Sequence, residues 1–436
     1  MERVCRQDQI SEQDYAAAVA WRRQLHKYPQ PSWLEFFATG FVAEKLSAWG
    51  YNVQMGHDII SEDKLLLLPS AEKLEEEYQR ALDAGVAEQY LRPAKGGLTG
   101  VVATLQGKQP GPVVAFRFDI DSNVVREASD DDHLPAKEGF ASCHPGYAHM
   151  CGHDVHTATG LLLAKWFADH QDELRGTVKF IFQPNEENLS GAAAMASKGV
   201  VDDVDYLLGG HVGTAARKLG QIACQVQGIL AMSRFEVTFT GRAAHAAGGP
   251  HEGKNALLGA CAAVANLHGI ARHAWGATTV NVGYIQSGST WNVVPEKAYF
   301  QMETRGATTE INDYMVSRAR EIIAGAAQMH DLQVEIKPAA VSFGGTNSPQ
   351  IVKLAEKVAG ELSSVTELLP CTTLGGSEDV TVFMRQVQER GGQAMFALFG
   401  TPIYGGHHNA KFDVDERVIR NAAEFYVAMY QEIISQ

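Results

Sequence analysis

The chain has 436 residues, 45% hydrophobic and 20% charged, with a formal charge of −14 at neutral pH. With 37 basic against 51 acidic side chains, no surplus is available to neutralise phosphates, so neither nucleic acid nor an anionic membrane surface is an expected partner. The chain is long enough to bury its own core without disulfide or metal staples, in two or three domains' worth of sequence. Its start, MERVCRQDQISEQD, is polar and lacks the apolar run of a secretory signal, and no later stretch approaches a membrane span. Six cysteines (Cys5, Cys143, Cys151, Cys224, Cys261, Cys371) show no regular spacing and no CxxC. They read as reduced thiols in a cytoplasmic protein.

Residues 13–27 and 33–49 are expected to form amphipathic helices, the second closed by Gly50. Residues 61–93 are rich in Glu, Ala, Leu and Gln, which favour helix. They read as a helical insert that lines an entrance, forms an interface or stands out as a solvated appendage. Strands are expected at 98–105 and 112–118, a helix from Thr157 to Phe167, a buried strand at 176–183, a short helix at 192–199 and an apolar strand at 204–212. This alternation indicates an α/β layer: a mixed, largely parallel sheet with helices on both faces. Near residue 228 the rhythm changes. Strand 233–241, helix 254–273, strands 277–288 and 296–306, helix 311–330 and strand 332–338 follow the β-α-β-β-α-β order of a ferredoxin-like unit. The first layer then resumes with a helix near 349–363, a strand near 395–399 and a helix near 416–433. The expected domains are therefore 1–227 with 340–436, and an inserted smaller α+β domain at 228–339.

Four segments place ligand-type side chains at strand ends or glycine-rich turns. In His149-Met150-Cys151-Gly152-His153-Asp154, Cys151 and His153 are two apart and project to one side of an extended segment. In Gln183-Pro184-Asn185-Glu186-Glu187-Asn188, adjacent carboxylates follow a buried strand, where they are costly unless paired or bound to metal. Neighbouring side chains diverge, so one can bind metal while the other faces water as a general base. In Gly209-Gly210-His211-Val212-Gly213 a histidine closes a strand. In Gly405-Gly406-His407-His408-Asn409 one histidine suits ligation and the other a supporting or substrate-facing place. Each segment alone reads equally as a packed loop, a solvated turn or a core histidine. Together they supply Cys, His, Glu, His and His where open sheets bind ligands. That is more than the four ligands of a closed structural zinc site and suits two ions with a bridging group.

These segments resemble the dinuclear-metal amidohydrolases that include aminoacylases, glutamate-releasing carboxypeptidases and auxin-amino-acid hydrolases, in the branch with a ligand cysteine. The likeness rests on Arg117-Phe118-Asp119-Ile120-Asp121, the Cys151 and Glu186 segments, Gly241 to His245, Asn292-Val293-Val294-Pro295, Gly376-Ser377-Glu378-Asp379 and His408 to Phe412. It covers nearly the whole chain from Trp21. The helical insert and the GHHNAKFD ending look most like the members that hydrolyse aminobenzoyl-glutamate.

The resemblance implies Cys151, His153, Glu187, His211 and His408 as ligands of two divalent ions, with Cys151 bridging. It favours Mn2+, with Zn2+ as the alternative. It implies Glu186 as the base, His245 as the histidine that family dimers donate to the partner's site, and Asn292 and Arg305 as the grip on a substrate carboxylate. Asp119 would support a ligand or anchor a helix. The implied reaction is hydrolysis of an N-acyl amino acid, p-aminobenzoyl-glutamate first. The implied assembly is a homodimer through the smaller domain, or a pair in which a paralogous second subunit takes part. The competing readings are a hydrolase of another N-acyl or N-aryl amino acid, a weakly active metal-binding partner subunit of a hetero-oligomeric hydrolase, or a metal-free α/β protein. Two departures from the family stand out: Asn185 replaces the usual Ala, and residues 246–251 are expanded, so His251 is read as structural.

Overall fold

The computed structural model describes residues 10–436; Cys5 lies outside them. Contacts divide the chain into two compact units. One comprises the residues up to Gln227 with Thr346–Leu374 and Asp379–Gln436, the other Gly228–Gly345 with Gly375–Glu378.

The larger unit is built on an eight-stranded sheet. Its order is Asn52–Gln54, Val101–Gln106, Arg175–Gln183, Gln109–Asp119, Tyr206–Val212, Gln393–Phe399, Gln221–Ala223 and Glu367–Leu368. The four central strands, Arg175–Gln183 through Gln393–Phe399, run parallel. Toward their carboxyl ends they are buried and read as largely apolar runs, as strands covered on both faces must. Antiparallel neighbours flank them. Adjacent glycines show the two faces: Gly209 lies against Val380 of the helix Val380–Glu389, and Gly210 against Tyr426 of the helix Arg417–Ile433. The core beneath the second helix is aromatic. Phe116 stacks on Phe180 at 5.4 Å, and Phe167 meets Tyr430 edge-on at 4.8 Å.

Several elements differ from the reading of the sequence. The helix expected from Thr157 begins four residues earlier, at His153. Gly152 adopts φ +97, a conformation closed to most side chains, and turns the chain directly into the helix. Cys151 and His153 are therefore not neighbours along an extended segment; the turn at Gly152 brings them together. The insert forms the helix Ala71–Asp83 and the short helix Glu88–Leu91. Leu74, Tyr78, Ala81 and Leu91 join the main core, so it is not a solvated appendage. The helix Val380–Glu389 was not anticipated from the sequence.

The smaller unit is a four-stranded antiparallel sheet, in the order Gln333–Ser342, Ala231–Thr240, Lys297–Gly306 and Thr278–Ser287. The helices Ala256–Leu267 and Thr309–Met329 bury Ala260, Ala263, Met315, Ala319 and Ile323 against Phe235, Val237, Phe239 and Phe300. Chain order and strand order together are ferredoxin-like. Its last strand runs to Ser342, four residues beyond expectation. Gly375 and Gly376 return to bond Gly228 and Leu230, which carries the unit past residue 339.

Candidate active site

The parallel strands set the site. Asp119 pairs with Gln183, and Phe399 with Val212, so the four central strands end as two level pairs. The segments beyond these carboxyl ends carry Asp121 and Glu186–Glu187, beside His211 near the end of its own strand. The opening turn of the helix His153–Asp169 and the loop holding His407 and His408 complete the cluster. This is where an open α/β sheet binds its ligands.

Three groups of potential metal ligands form here, each with its donor atoms within 4.8 Å: Cys151–His153–Glu187, Cys151–His211–His407 and His153–His156–His211. Cys151 belongs to the first two of them. Its Sγ lies 3.4 Å from His211 Nε2 and 3.7 Å from His407 Nδ1. His153 Nε2 lies 3.8 Å from Glu187 Oε1 and 3.8 Å from Glu186 Oε2. His408 Nε2 lies 3.4 Å from Glu187 Oε2.

The hydrogen bonds fix which ring nitrogens are free. His153 Nδ1–H donates to Asp121, to its carbonyl at 3.0 Å and Oδ1 at 3.1 Å. His211 Nδ1–H donates to the Val212 carbonyl at 2.7 Å. In His211 the Nε2 lone pair is left facing the cluster, the usual arrangement of a ligating histidine. Burial works against the charge on His153, but Asp119 and Asp121 outweigh it and raise it well above the usual imidazole range, so its Nε2 must give up a proton to take a metal ion. His153 Nε2 and Glu187 Oε1 are buried with no hydrogen-bond partner. Orphaned polar atoms are costly to bury, and these two face one another beside a thiol. This donor set fits a divalent ion. His156 also lies among the rings but does not fit. Its Nδ1–H donates to Asp119 at 2.5 Å, and its Nε2 accepts from Val212 N–H at 3.0 Å. His407 is likewise engaged: Nε2 accepts from Thr214 N–H at 3.3 Å, so the proton sits on Nδ1 and faces the Cys151 sulfur as a donor.

Charge follows the same pattern. Burial holds His211 well below the usual imidazole range, so it is neutral. Burial, with the Glu187 carboxylate, pushes the Cys151 thiol up; a nearby cation is what would keep it a thiolate. Burial works against the Glu187 carboxylate, but His408 and His153 outweigh it and hold Glu187 low. Hydrogen bonds to Cys151 and Glu187 raise His408 to about 10.

Sequence reasoning singled out Asp119 and missed Asp121, the carboxylate that orients His153; Asp119 instead holds Arg117 and His156. It also missed Asn123, whose side chain accepts from Met150 N–H at 2.9 Å and hydrogen-bonds Glu187. The signal was the spacing of Asp119 and Asp121 at a strand end, which sends both carboxylates to one side.

The other three expected residues lie in the smaller unit. His245 is exposed, and its Nδ1 accepts from Ala247 N–H (3.1 Å) and Gly248 N–H (3.0 Å), leaving Nε2–H as a donor. Val293 pairs with His245, and the Asn292 carbonyl accepts from Ala246 N–H at 3.0 Å, so His245 and Asn292 share one irregular ladder. Arg305 is apart from it: its guanidinium is gripped by Glu303 at 2.8 and 3.3 Å.

The model of peptidase family M20/M25/M40 matches residues 115–432. This chain belongs to that family. The M20 chain is 44% identical over 405 residues to indole-3-acetyl-aspartic acid hydrolase of Enterobacter agglomerans, covering 93% of each. It is 43% identical over 405 residues to the A-type chain of the p-aminobenzoyl-glutamate hydrolase of Escherichia coli (strain K12), again covering 93% of each. The crystal structure of an aminobenzoyl-glutamate utilization protein from Klebsiella pneumoniae superposes with a TM-score of 0.80 at 36% identity, covering 96% of this chain and 95% of that one. The M20 chain is an amide hydrolase of the N-acyl amino acid type. None of its described helices is long and apolar enough to cross a membrane.

Proposed function

We propose that the chain hydrolyses p-aminobenzoyl-glutamate to p-aminobenzoate and glutamate. One observation carries this reading: a thiol, two imidazoles anchored at Nδ1 and an orphaned carboxylate oxygen converge beside a second carboxylate. The named activity of the Escherichia coli relative supports the substrate. Cys151, His153, Glu187, His211 and His408 would hold two divalent ions, Mn2+ ahead of Zn2+, with Cys151 shared. Such ions, when bound, acidify water and polarise the scissile carbonyl.

The chain's own residues supply the rest. Glu186 accepts a proton from the attacking water and returns it to the glutamate nitrogen as the C–N bond breaks. The Nε2–H of His245, supplied by the other copy of a dimer, donates to the carbonyl oxygen as it gains charge. Asn292 and Arg305 hold the glutamate carboxylates, and Arg305 exchanges part of its pairing with Glu303 to do so. The larger unit is the catalytic domain, and the smaller one pairs two copies of the chain. Pairing with a paralogous second subunit is the alternative, because the Escherichia coli relative is itself named as one subunit of its hydrolase. The five described free cysteines support a reducing cytoplasmic setting.

The test is Glu186→Gln in metal-loaded protein. Bound metal should stay at the wild-type level while turnover of p-aminobenzoyl-glutamate falls by about 10³-fold, within the range for loss of a general base. Wild-type turnover in this variant would remove Glu186 from its role. Faster cleavage of indole-3-acetyl-aspartate than of p-aminobenzoyl-glutamate by the wild type would overturn the substrate assignment alone.

A further inference from the structure

Glu35 is fully buried and immediately precedes the helix Phe36–Ala48, yet its side chain makes no cap hydrogen bond to that helix. Its Oε1 accepts from Asn185 N–H at 2.9 Å, and its Oε2 accepts from Thr99 Oγ1–H at 2.6 Å. Asn185 has φ 55, a left-handed conformation that costs an L residue energy, though asparagine less than most. Its side-chain amide is tied to Ser190 Oγ at 2.6 Å. On the far side of Glu186, Glu187 N–H donates to Asp121 Oδ2 at 3.0 Å. The backbone N–H groups of the two residues that flank Glu186 are thus each held by a buried carboxyl group; burial and the Asp121 charge raise that of Glu35 to about 8.

The two anchors differ in what else they touch. Asp121 also binds His153, so removing it would disturb a metal ligand as well as the turn. The hydrogen bonds of Glu35 go to the turn and to Thr99, and to none of the five proposed ligands.

We propose that Glu35 is a positioning residue for the catalytic base: it fixes the left-handed turn at Asn185 and so the direction in which Glu186 leaves the strand. The inference rests on Glu186 being that base. Without the Glu35 carboxyl group the buried Asn185 N–H loses its acceptor, and the turn relaxes toward the right-handed region. The base is then misplaced, while the metal ligands keep their own anchors. A misplacement near 1 Å is enough to cost about 10²-fold in rate.

The experiment compares Glu35→Ala, Glu35→Asp and Glu35→Gln in metal-loaded protein, with Glu186→Gln as reference. Glutamine keeps an acceptor for Asn185 N–H, and its amide donates to Thr99 Oγ1 once that hydroxyl turns its proton away, so Glu35→Gln should retain kcat within about threefold of wild type. Glu35→Asp draws the acceptor back by one methylene and should lower kcat about tenfold. Glu35→Ala should lower it about 30- to 100-fold, with KM within about twofold and bound metal unchanged. If Glu35→Ala fails to fold, the aspartate and glutamine variants carry the comparison. Wild-type kcat in Glu35→Asp, equal losses in all three variants, or losses that track metal content would overturn the proposal. An inactive Glu186→Gln with a flat Glu35 series sinks the positioning role alone. A fully active Glu186→Gln sinks the base assignment and the positioning role with it.

Discussion

His26 is fully buried between two carboxylates. Nδ1 lies 2.8 Å from Asp154 and Nε2 2.8 Å from Glu127. Burial and the nearby Arg22 guanidinium both favour loss of its proton, but the bonds to Asp154 and Glu127 outweigh them and raise it to about 9. Both ring nitrogens donate, which is the imidazolium form. Because the folded value lies above the ordinary 6.5, the stabilisation is complete below pH 6.5 and is lost as pH climbs through 9. The shift corresponds to roughly 3 kcal/mol. Urea unfolding of wild type and His26→Gln at pH 6.5 and pH 9.5 should show a stability gap that shrinks by about this amount at the higher pH. A gap independent of pH would mean the ring is neutral throughout. At this scale the ligand types were readable, because Cys151, His153, Glu187 and His211 are residues whose chemistry names itself. Their supporting partners were not. Nothing in the order of residues joins Asp121 to Glu187, or Glu35 to Asn185, since hydrogen bonds over such separations exist only after folding.

Helix and strand meet where side chains are smallest. Gly160, in the middle of the helix His153–Asp169, faces the rings of Phe118 and Phe182; an added Cβ would fall 2.6 Å from one and 2.8 Å from the other. Both rings belong to the stacked aromatic core and have little room to move. Gly160→Ala gains roughly 1 kcal/mol of helix propensity. Overpacking costs about 1–3 kcal/mol, and the rigidity of the rings puts this site at the upper end. The variant should be destabilised by about 1–2 kcal/mol in urea unfolding. A midpoint at or above wild type would show that the rings yield. The same helix illustrates how far periodicity reaches. Its apolar run was evident from Thr157 onward. Its first turn, His153 to His156, is polar and was missed, because that turn is specified by a left-handed glycine and by what its side chains bind rather than by hydrophobic spacing.

At the scale of the whole molecule, the smaller unit leaves apolar groups uncovered. Its edge strand, Thr278–Ser287, exposes Tyr284 (47%) and Ile285 (44%), and Leu258 on the helix Ala256–Leu267 is 51% exposed. An exposed edge strand with apolar side chains is a template for pairing with another chain. The proposed pairing of two copies through this unit predicts a light-scattering mass of two chains. Ile285→Lys should shift that mass toward a single chain while leaving the smaller unit folded by circular dichroism. A fully active wild type with the mass of one chain would overturn the pairing.

The order of residues by itself determined the class of the protein and the kinds of atom available to its site. Alternating apolar runs of strand and helix length can be buried in only a few ways, and the family motifs lie where those runs end. The ferredoxin-like order of the smaller unit was legible for the same reason, because period-two and helical patterns are local. What only the tertiary structure decided is which lone pairs are free. Cys151, His153, Glu187 and His211 converge because parallel strands end level and Gly152 reverses the chain. His156 and His407 have the same chemistry and sit just as close, yet their nitrogens are committed to Asp119, Val212 and Thr214. Whether an imidazole can hold a metal depends on what its other nitrogen touches, and that contact is a property of the folded chain.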